Sequence, residues 1–375
     1  MHNHSSFISE PLVNEQALLG ELVGDHAEAW DLAMELPADM LQKLGAMGIL
    51  CAEVPASFGG LGASSQHNGE LTAYVGSLDS SLRSIMTSQG IAAWAIQRFG
   101  DRDQRHRYLG DLTSGDLAAV GFSEPGAGSD LAAMQTRVKR SGDSVVLDGQ
   151  KMWVTGARYA DLLLVLCLQD DDAAFVVVPA SAPGVCIEPV PAPLGCRAAG
   201  HANIHFDNVQ LPAASVLGGG GQSLPMLFTT ALSYGRMSIA WGCTGIVRAC
   251  LEAATEHARV REQSGKPLGQ HQLVASHLAD LLISEELCTL VCEHASQSWQ
   301  SSSPDMVIAA VLAKQVSAGH AARSASTAVQ VLASAGARDG HVVARAYRDS
   351  KVMEIIEGSN EICQLILAQH ALTTV

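Results

Sequence analysis

Charge is scarce in this chain. Only 16% of its 375 residues are Asp, Glu, Lys or Arg, and aromatic residues make up just 5%. What charge there is runs acidic, because 23 Lys and Arg stand against 38 Asp and Glu, a net of −15. That balance, with no Lys/Arg block, argues against nucleic-acid binding. Long apolar runs are missing too. The stretch LLLVLCL (162–168) falls far short of the ~18 residues that a bilayer-spanning helix needs, so no membrane span is expected. The opening MHNHSSFISE lacks a basic-then-apolar pattern, which reads as no signal peptide and a cytoplasmic protein. The nine cysteines are odd in number and include no CxxC pair. Cys167, Cys243 and Cys250 sit among apolar residues, as reduced buried thiols do. Cys288 and Cys292 lie one helical turn apart, but two ligands do not make a zinc site, and no metal is expected. GxGxxG, Walker A and GxSxG motifs are also absent, which removes the commonest dinucleotide, nucleotide and hydrolase signatures.

Apolar residues, by contrast, are plentiful at 47%, enough for a large core and too many for disorder. The pattern changes character twice. Residues 1–118 read as a helical domain, with ALLGELVGDHAEAWDLAMEL and DMLQKLGAMGILCAEV carrying apolar residues at helical spacing. The charged run DRDQRHR (101–107) reads as a solvated turn ahead of a helix. Residues 119–222 have strand periodicity. TRVKRSGDSVVLDGQKMWVTG is a hairpin with its turn at Ser141–Asp143, and further short strands follow. With no helix between these strands, an antiparallel sheet or small barrel is expected. LGGGGQS (217–223) reads as a flexible connection into Ala-rich helices over 223–375, packed as a bundle. The fold class is therefore mainly α with a central β domain.

Three segments could carry chemistry. In FSEPGAGSD (122–130), Pro125, Gly126 and Gly128 permit a tight turn whose N–H groups could converge on an anion, with Ser129 adding a hydroxyl. A plain loop has the same composition. In GQKMWVTG (149–156), Trp153 and Thr155 fall on one side of a strand, where an indole and a hydroxyl could flank a flat heterocycle. Taken alone, the motif reads first as a barrel-core Trp. In MEIIEGSNEI (353–362), Glu357 lies where a helix should end, between an apolar run and a glycine. It is a candidate base of raised pKa, or a helix-terminal surface residue. His201 and His205 read as surface or packing residues of a strand.

Taken together, FSEPGAGSD, GQKMWVTG, REQSGKPLGQHQ (261–272) and EGSNEI (357–362) resemble the FAD-dependent acyl-CoA dehydrogenases over nearly the whole chain. The resemblance implies a helical domain, a β domain and a C-terminal four-helix domain, with flavin between the last two. It implies that Phe122 and Ser123 meet the pyrimidine end of the isoalloxazine, and that Gly128 and Ser129 bind the pyrophosphate. Trp153 and Thr155 would cover the ring and hydrogen-bond near N5. Arg261 and Gln263 would reach the FAD of a neighbouring subunit, Gln330 and Ser334 its adenosine side, and Ser359 and Glu361 would lie beside the cofactor. Contacts of that kind imply a dimer or tetramer. Ser264 departs from the aromatic residue that commonly follows Arg-x-Gln. Glu357 falls on the usual catalytic carboxylate. Some members place the base on a helix just before an arginine; here that substrate-side arginine is Arg236, preceded by Gly235, which cannot act as a base.

SLRSIMTSQGIAAWAIQRFGD, GCRAAGHANIHFD, YGRMSIAWGC and ASAGARDGHVV look more narrowly like the acyl-carrier-protein dehydrogenases that make hydroxymalonyl or methoxymalonyl extender units in polyketide pathways. That likeness implies oxidation of 2-hydroxy-3-oxopropionyl to 2-hydroxymalonyl on an acyl carrier protein, with an electron-transfer flavoprotein or O2 as acceptor. Arg102, Arg105 and Arg107, or Arg137, Lys139 and Arg140, would supply a carrier-docking patch. The rival readings are a short-chain acyl-CoA dehydrogenase or oxidase, a flavin monooxygenase on the same fold, and a flavin-free scaffold that binds carrier proteins.

Overall fold

Helices come first in the structure, a computed structural model that describes residues 10–374. They are α1 (Glu10–Val23), α2 (Ala27–Ala33), α3 (Ala38–Ala46), α4 (Ser65–Leu78), α5 (Ser80–Phe99) and α6 (Arg102–Thr113). Asp79 both ends α4 and caps α5 by accepting the Leu82 N–H, so the two helices meet at a sharp corner. α5 buries sixteen of its twenty residues, which makes it the hub of the molecule. The charged run 101–107 is not a turn. Asp101 accepts the Gln104 N–H and the Gln104 side chain accepts the Asp101 N–H, a capping box that starts α6 at Arg102.

Seven strands follow: β1 (Ala118–Gly121), β2 (Arg137–Ser141), β3 (Ser144–Val154), β4 (Leu162–Gln169), β5 (Asp172–Pro179), β6 (Val185–Pro189) and β7 (Ala202–Pro212). They form one sheet in the order β1-β4-β2-β3-β7-β6, with β5 added on β4. The β2–β3 hairpin closes as expected between Ser141 and Ser144, with Gly142 at φ 64 in the turn. The sheet is not purely antiparallel, however. β1 runs parallel to β4, from Ala118 opposite Leu162 to Gly121 opposite Val165. The hairpin lies between these two strands in sequence only, since they are direct neighbours in the sheet, and the chain returns to β4 in the direction in which it left β1. Val145, Leu147, Val165, Val176, Ile204 and Phe206 fill the inside of the curl.

The glycine-rich connection is pinned rather than loose. Ala173 and Gln222 exchange both backbone hydrogen bonds, and the Gly218 and Gly221 N–H groups donate to Gln104 Oε1 and Gln169 Oε1. Beyond it come α7 (Leu224–Val260), the short strands β8 (Glu262–Gln263) and β9 (Lys266–Pro267), α8 (Gln272–Gln300), α9 (Met306–Leu332), α10 (Val342–Ile355) and α11 (Asn360–Thr374). Ala318, Ala321, Ala325 and Ala328 recur at helical spacing on the buried face of α9, where small side chains let α7, α8 and α10 approach. One core joins all three regions: Ile91 and Ile96 of α5, Val120 of β1, Phe175 of β5, Trp241 of α7, Trp299 of α8 and Ala309 of α9. Among the described residues, no helix is long and apolar enough to cross a membrane, and no cluster of His, Cys, Asp or Glu could hold a metal ion.

Candidate active site

α10 ends at Ile355, and the chain turns through Glu357 (φ 55) and Gly358 (φ 88) into α11. A left-handed non-glycine residue costs about 1 kcal/mol or more, so the surroundings must hold it there. Two buried cations do so. Arg236 of α7 donates Nε–H to the Glu357 carbonyl at 3.1 Å. Lys314 of α9 donates Nζ–H to the carbonyls of Glu354 (3.3 Å) and Gly358 (2.8 Å) and to Asn360 Oδ1 (3.0 Å). The backbone of the turn is thereby stapled, while the Glu357 carboxyl is left free of partners. Its Oε2 is buried with no hydrogen bond. Burial pushes the Glu357 pKa up to about 7, against the pull of Arg236, Lys314 and Arg83. Glu357 is thus no ordinary surface carboxylate. Room for it exists because residue 235 has no side chain, since a Cβ on Gly235 would stand 2.6 Å from Glu357 Oε2.

Polar groups continue away from this carboxylate between two helices. Arg83, Thr87 and Ile91 share one face of α5, while Gly235, Ser238 and Gly242 share one face of α7. Ile91 packs at Gly235, Thr87 Oγ1 lies 2.6 Å from Ser238 Oγ, and the bare backbone of Gly242 receives the Arg83 stem. Arg83 is fully buried and donates only to neutral partners, Thr87 Oγ1 (3.1 Å) and Met353 Sδ (2.8 Å); its Nε has none. The Arg83 and Lys314 roles escaped the sequence reading. Their signal was present, however, because each is an isolated cation inside an otherwise uncharged helical stretch, SSLRSIM and VIAAVLAKQV.

On the opposite side of α5 lies the rim of the sheet. Glu124 and Ala127 exchange backbone hydrogen bonds (2.9 and 3.1 Å), which closes the turn over Pro125–Gly126. Beneath it the buried Glu124 carboxylate accepts the Gln135 and Thr136 N–H groups (2.6 and 3.1 Å) and Lys151 Nζ–H (2.8 Å). Burial pushes the Glu124 pKa up, yet Lys151 and these N–H groups hold it below the usual carboxylate range. With its underside fixed, the turn presents Gly128 and Ser129 outward, and open space lies where a Cβ would stand on Gly126 or Gly128. The Met152 N–H donates to the Ser123 carbonyl (2.8 Å) and sets Phe122–Ser123 beside the end of β3. An irregularity between Lys151 and Val154 puts Trp153 at φ 55 and leaves it 54% exposed, so it is not a barrel-core Trp. The Thr155 hydroxyl lies 3.3 Å from Nδ1 of His201, and the Thr155 carbonyl accepts Ser88 Oγ–H from α5 (3.1 Å). His201 therefore faces inward beside Thr155 and is not a surface residue, whereas His205 is exposed.

Ser88 and Thr87 are neighbours on α5, so this rim and the Glu357 side share one helix. Among the other predicted residues, Ser359 caps α11 by accepting the Ile362 N–H (3.4 Å), and Glu361 is exposed in the first turn of that helix. Arg261 and Gln263 are exposed at the β8–β9 hairpin, whose turn Ser264–Gly265 has positive φ at both residues. Gln330 and Ser334 are exposed at the end of α9. Among the described residues these last four make no hydrogen bond to the Trp153 or Glu357 groups. An outward-facing indole, an outward glycine turn bearing a hydroxyl, and a buried partnerless carboxyl fit a flat, diphosphate-bearing cofactor such as FAD.

Comparison with known proteins agrees. Residues 16–116, 119–209 and 226–372 match, in order, the N-terminal, middle and C-terminal domains of acyl-CoA dehydrogenase. A probable acyl-CoA dehydrogenase of Bacillus subtilis (strain 168), YngJ, is 30% identical over 96% of this chain and 99% of its own length. The solved structure of FkbI, for biosynthesis of the methoxymalonyl extender unit of the Fk520 polyketide immunosuppressant, is 61% identical with a TM-score of 0.93, over 96% of this chain and 100% of that one. A glutaryl-CoA dehydrogenase from Mycobacterium smegmatis, solved in complex with FADH2, is 26% identical with a TM-score of 0.91, over 98% of this chain and 96% of that one. Domain order, fold and near-full-length identity converge on one conclusion: this chain belongs to the acyl-CoA dehydrogenase family and is an FAD-dependent oxidoreductase.

Proposed function

We propose that this enzyme oxidises a small oxygenated acyl group held as a thioester on an acyl carrier protein, 2-hydroxy-3-oxopropionyl to 2-hydroxymalonyl. The observation that carries this reading is the polar lining beside Glu357, namely Arg83 with an unpartnered Nε, Thr87 and Ser238. Thr87 and Ser238 bond each other, so an alkyl chain placed there would leave the Arg83 Nε–H unsatisfied, whereas an oxygenated acyl group supplies an acceptor for it. The 61% identity to FkbI supports the same substrate class.

Bound FAD supplies the hydride-accepting chemistry of the family. Phe122, Ser123, Gly128, Ser129, Trp153 and Thr155 would hold it, with Ser359 and Glu361 beside it. Arg261, Gln263, Gln330 and Ser334 would serve the cofactor of a neighbouring copy. Glu357 is the base, taking either a hydroxyl proton of the hydrated aldehyde or the α-proton. Arg236 fixes its backbone, and the dry surroundings keep its pKa near the working range. Because the carboxyl must be ionised to act, kcat/KM is expected to rise about tenfold per pH unit below pH ~7 and level off above it. A profile flat from pH 5.5 to 8 would remove Glu357 from the proton transfer.

A carrier protein of acidic surface needs a basic landing site on a chain of net −15. Arg105 is engaged with the Gly100 carbonyl and Arg107 lies over Tyr108. Arg137 and Lys139 are exposed on one face of β2, and we assign docking there. Self-association is expected as well. Leu282, Ile283, Leu287 and Leu290 leave an apolar stripe of α8 uncovered in one chain. Light scattering on the eluting protein is expected to give a multiple of 39.3 kDa, and a monomer would refute it.

The deciding test is anaerobic bleaching of the bound flavin. The reading expects fast bleaching with 2-hydroxy-3-oxopropionyl carrier protein and little with butyryl-CoA. Bleaching by butyryl-CoA alone would return the enzyme to short-chain acyl-CoA oxidation.

A further inference from the structure

His201 belongs to no motif, yet the fold takes trouble to place it. It ends a segment, 196–201, that is tied down on three sides. The Cys196 N–H donates to Asp349 Oδ1 of α10 (2.6 Å), the Ala198 N–H donates to Ser81 Oγ of α5 (3.2 Å), and the Ala199 and Gly200 carbonyls accept the Gly156 and Arg158 N–H groups (3.0 and 3.2 Å). The imidazole is thus held against the end of β3, 5.8 Å from the Trp153 ring and 3.3 Å from the Thr155 hydroxyl.

The ring is neutral at pH 7, since burial and the nearby Arg83 press its pKa down to about 4. A neutral imidazole has one N–H and one lone pair. A backbone contact with Cys196 partly offsets the fall in pKa. The nitrogen facing Thr155 is Nδ1, 3.3 Å from the hydroxyl, and the tautomer of the ring decides which of the two supplies the hydrogen. A threonine oxygen whose hydrogen points at His201 has only lone pairs left for whatever lies on its other side.

We propose that His201 presents its Nδ1 lone pair to the Thr155 hydroxyl, and is thus a positioning residue that sets the polarity of that hydroxyl and biases the bound flavin towards its reduced form. This rests on the reading that Thr155 faces flavin N5. Reduced flavin carries a hydrogen at N5 and oxidised flavin carries a lone pair there. An acceptor at Thr155 is matched by the first and opposed by the second, so the pair raises the two-electron potential.

The test is the midpoint potential of the purified FAD-loaded protein, measured anaerobically against redox dyes. His201→Phe removes the acceptor and frees the Thr155 hydroxyl to donate to oxidised N5. A tenfold shift towards the oxidised form is expected, which is about 30 mV lower for a two-electron couple. His201→Asn keeps an acceptor oxygen and is expected to keep most of the wild-type potential. Thr155→Val gives a sign test that needs no change at His201: the potential falls if Thr155 acts as acceptor and rises if it acts as donor. In the Thr155→Val background, His201→Phe is expected to produce no further shift. A rise with Thr155→Val, an unchanged potential with His201→Phe, or an equal shift from His201→Phe in both backgrounds would overturn the proposal. A wild-type protein that takes up no FAD would instead overturn the placement of Thr155 itself.

Discussion

Glu357→Gln is expected to cut turnover by about 10³-fold while leaving the fold and the flavin in place. The glutamine amide has nearly the same shape, so the left-handed turn, the Arg236 bond to the 357 carbonyl and the Lys314 bonds to the Glu354 and Gly358 carbonyls all survive. What is lost is the proton acceptor. The same variant carries an opposite expectation for stability. The folded carboxyl has a pKa of about 7 against an ordinary value of 4.5. The stability belonging to its neutral form is fully present below pH 4.5 and is lost as the pH rises through 7. Glutamine does not ionise, so Glu357→Gln should match wild type near pH 4.5 and exceed it by about 1–3 kcal/mol at pH 8. Thermal melts of both proteins at the two pH values, run beside single-turnover bleaching, check both halves. A flavin-replete variant that turns over like wild type would falsify the assignment of the base.

Lys151→Met should have the largest structural effect of any single change at the site. Lys151 and Glu124 are both buried, at 0% and 4% side-chain exposure. Removing one member of a buried pair leaves an uncompensated charge, at a cost of about 3–5 kcal/mol. The damage is not spread evenly. Glu124 holds the Gln135 and Thr136 N–H groups, and Lys151 holds the Phe122 carbonyl, so the 122–130 turn loses its underside. A large fall in melting temperature and loss of co-purifying FAD are expected together. Adding Glu124→Gln, which keeps an acceptor and removes the stranded charge, should restore much of the stability. A Lys151→Met protein that melts with wild type and retains its flavin would show that the pair does not support the turn.

Local features of this fold were readable in the sequence. The β2–β3 hairpin announced itself through alternating apolar residues and a polar turn, and the end of α10 through the glycine at 358. The start of α6 was also legible, since Asp101 and Gln104 have capping-box spacing, but the density of charge in DRDQRHR masked it. What was hidden depends on pairing across the chain. β1 is only four residues long, and its parallel partner β4 begins forty-one residues beyond Gly121, so no local pattern could reveal that pairing. The site divided in the same way. Glu357 and Trp153 stood out by their neighbours. His201 looked like one position of a strand, because its burial is created by a segment tied to α5 and α10, and neither helix is near it in sequence.

Gly235 has a consequence for how this scaffold could change over generations. A side chain there and the carboxylate of residue 357 compete for one volume, with a Cβ only 2.6 Å from Oε2. A descendant that gained a side chain at 235 would meet only the tip of residue 357, a carboxyl oxygen with no hydrogen bond to hold it, and would push that tip aside. The empty position is therefore a seat and not a lock: it decides where this carboxyl rests, and a second acid 122 positions earlier in the chain would displace the first before either was lost.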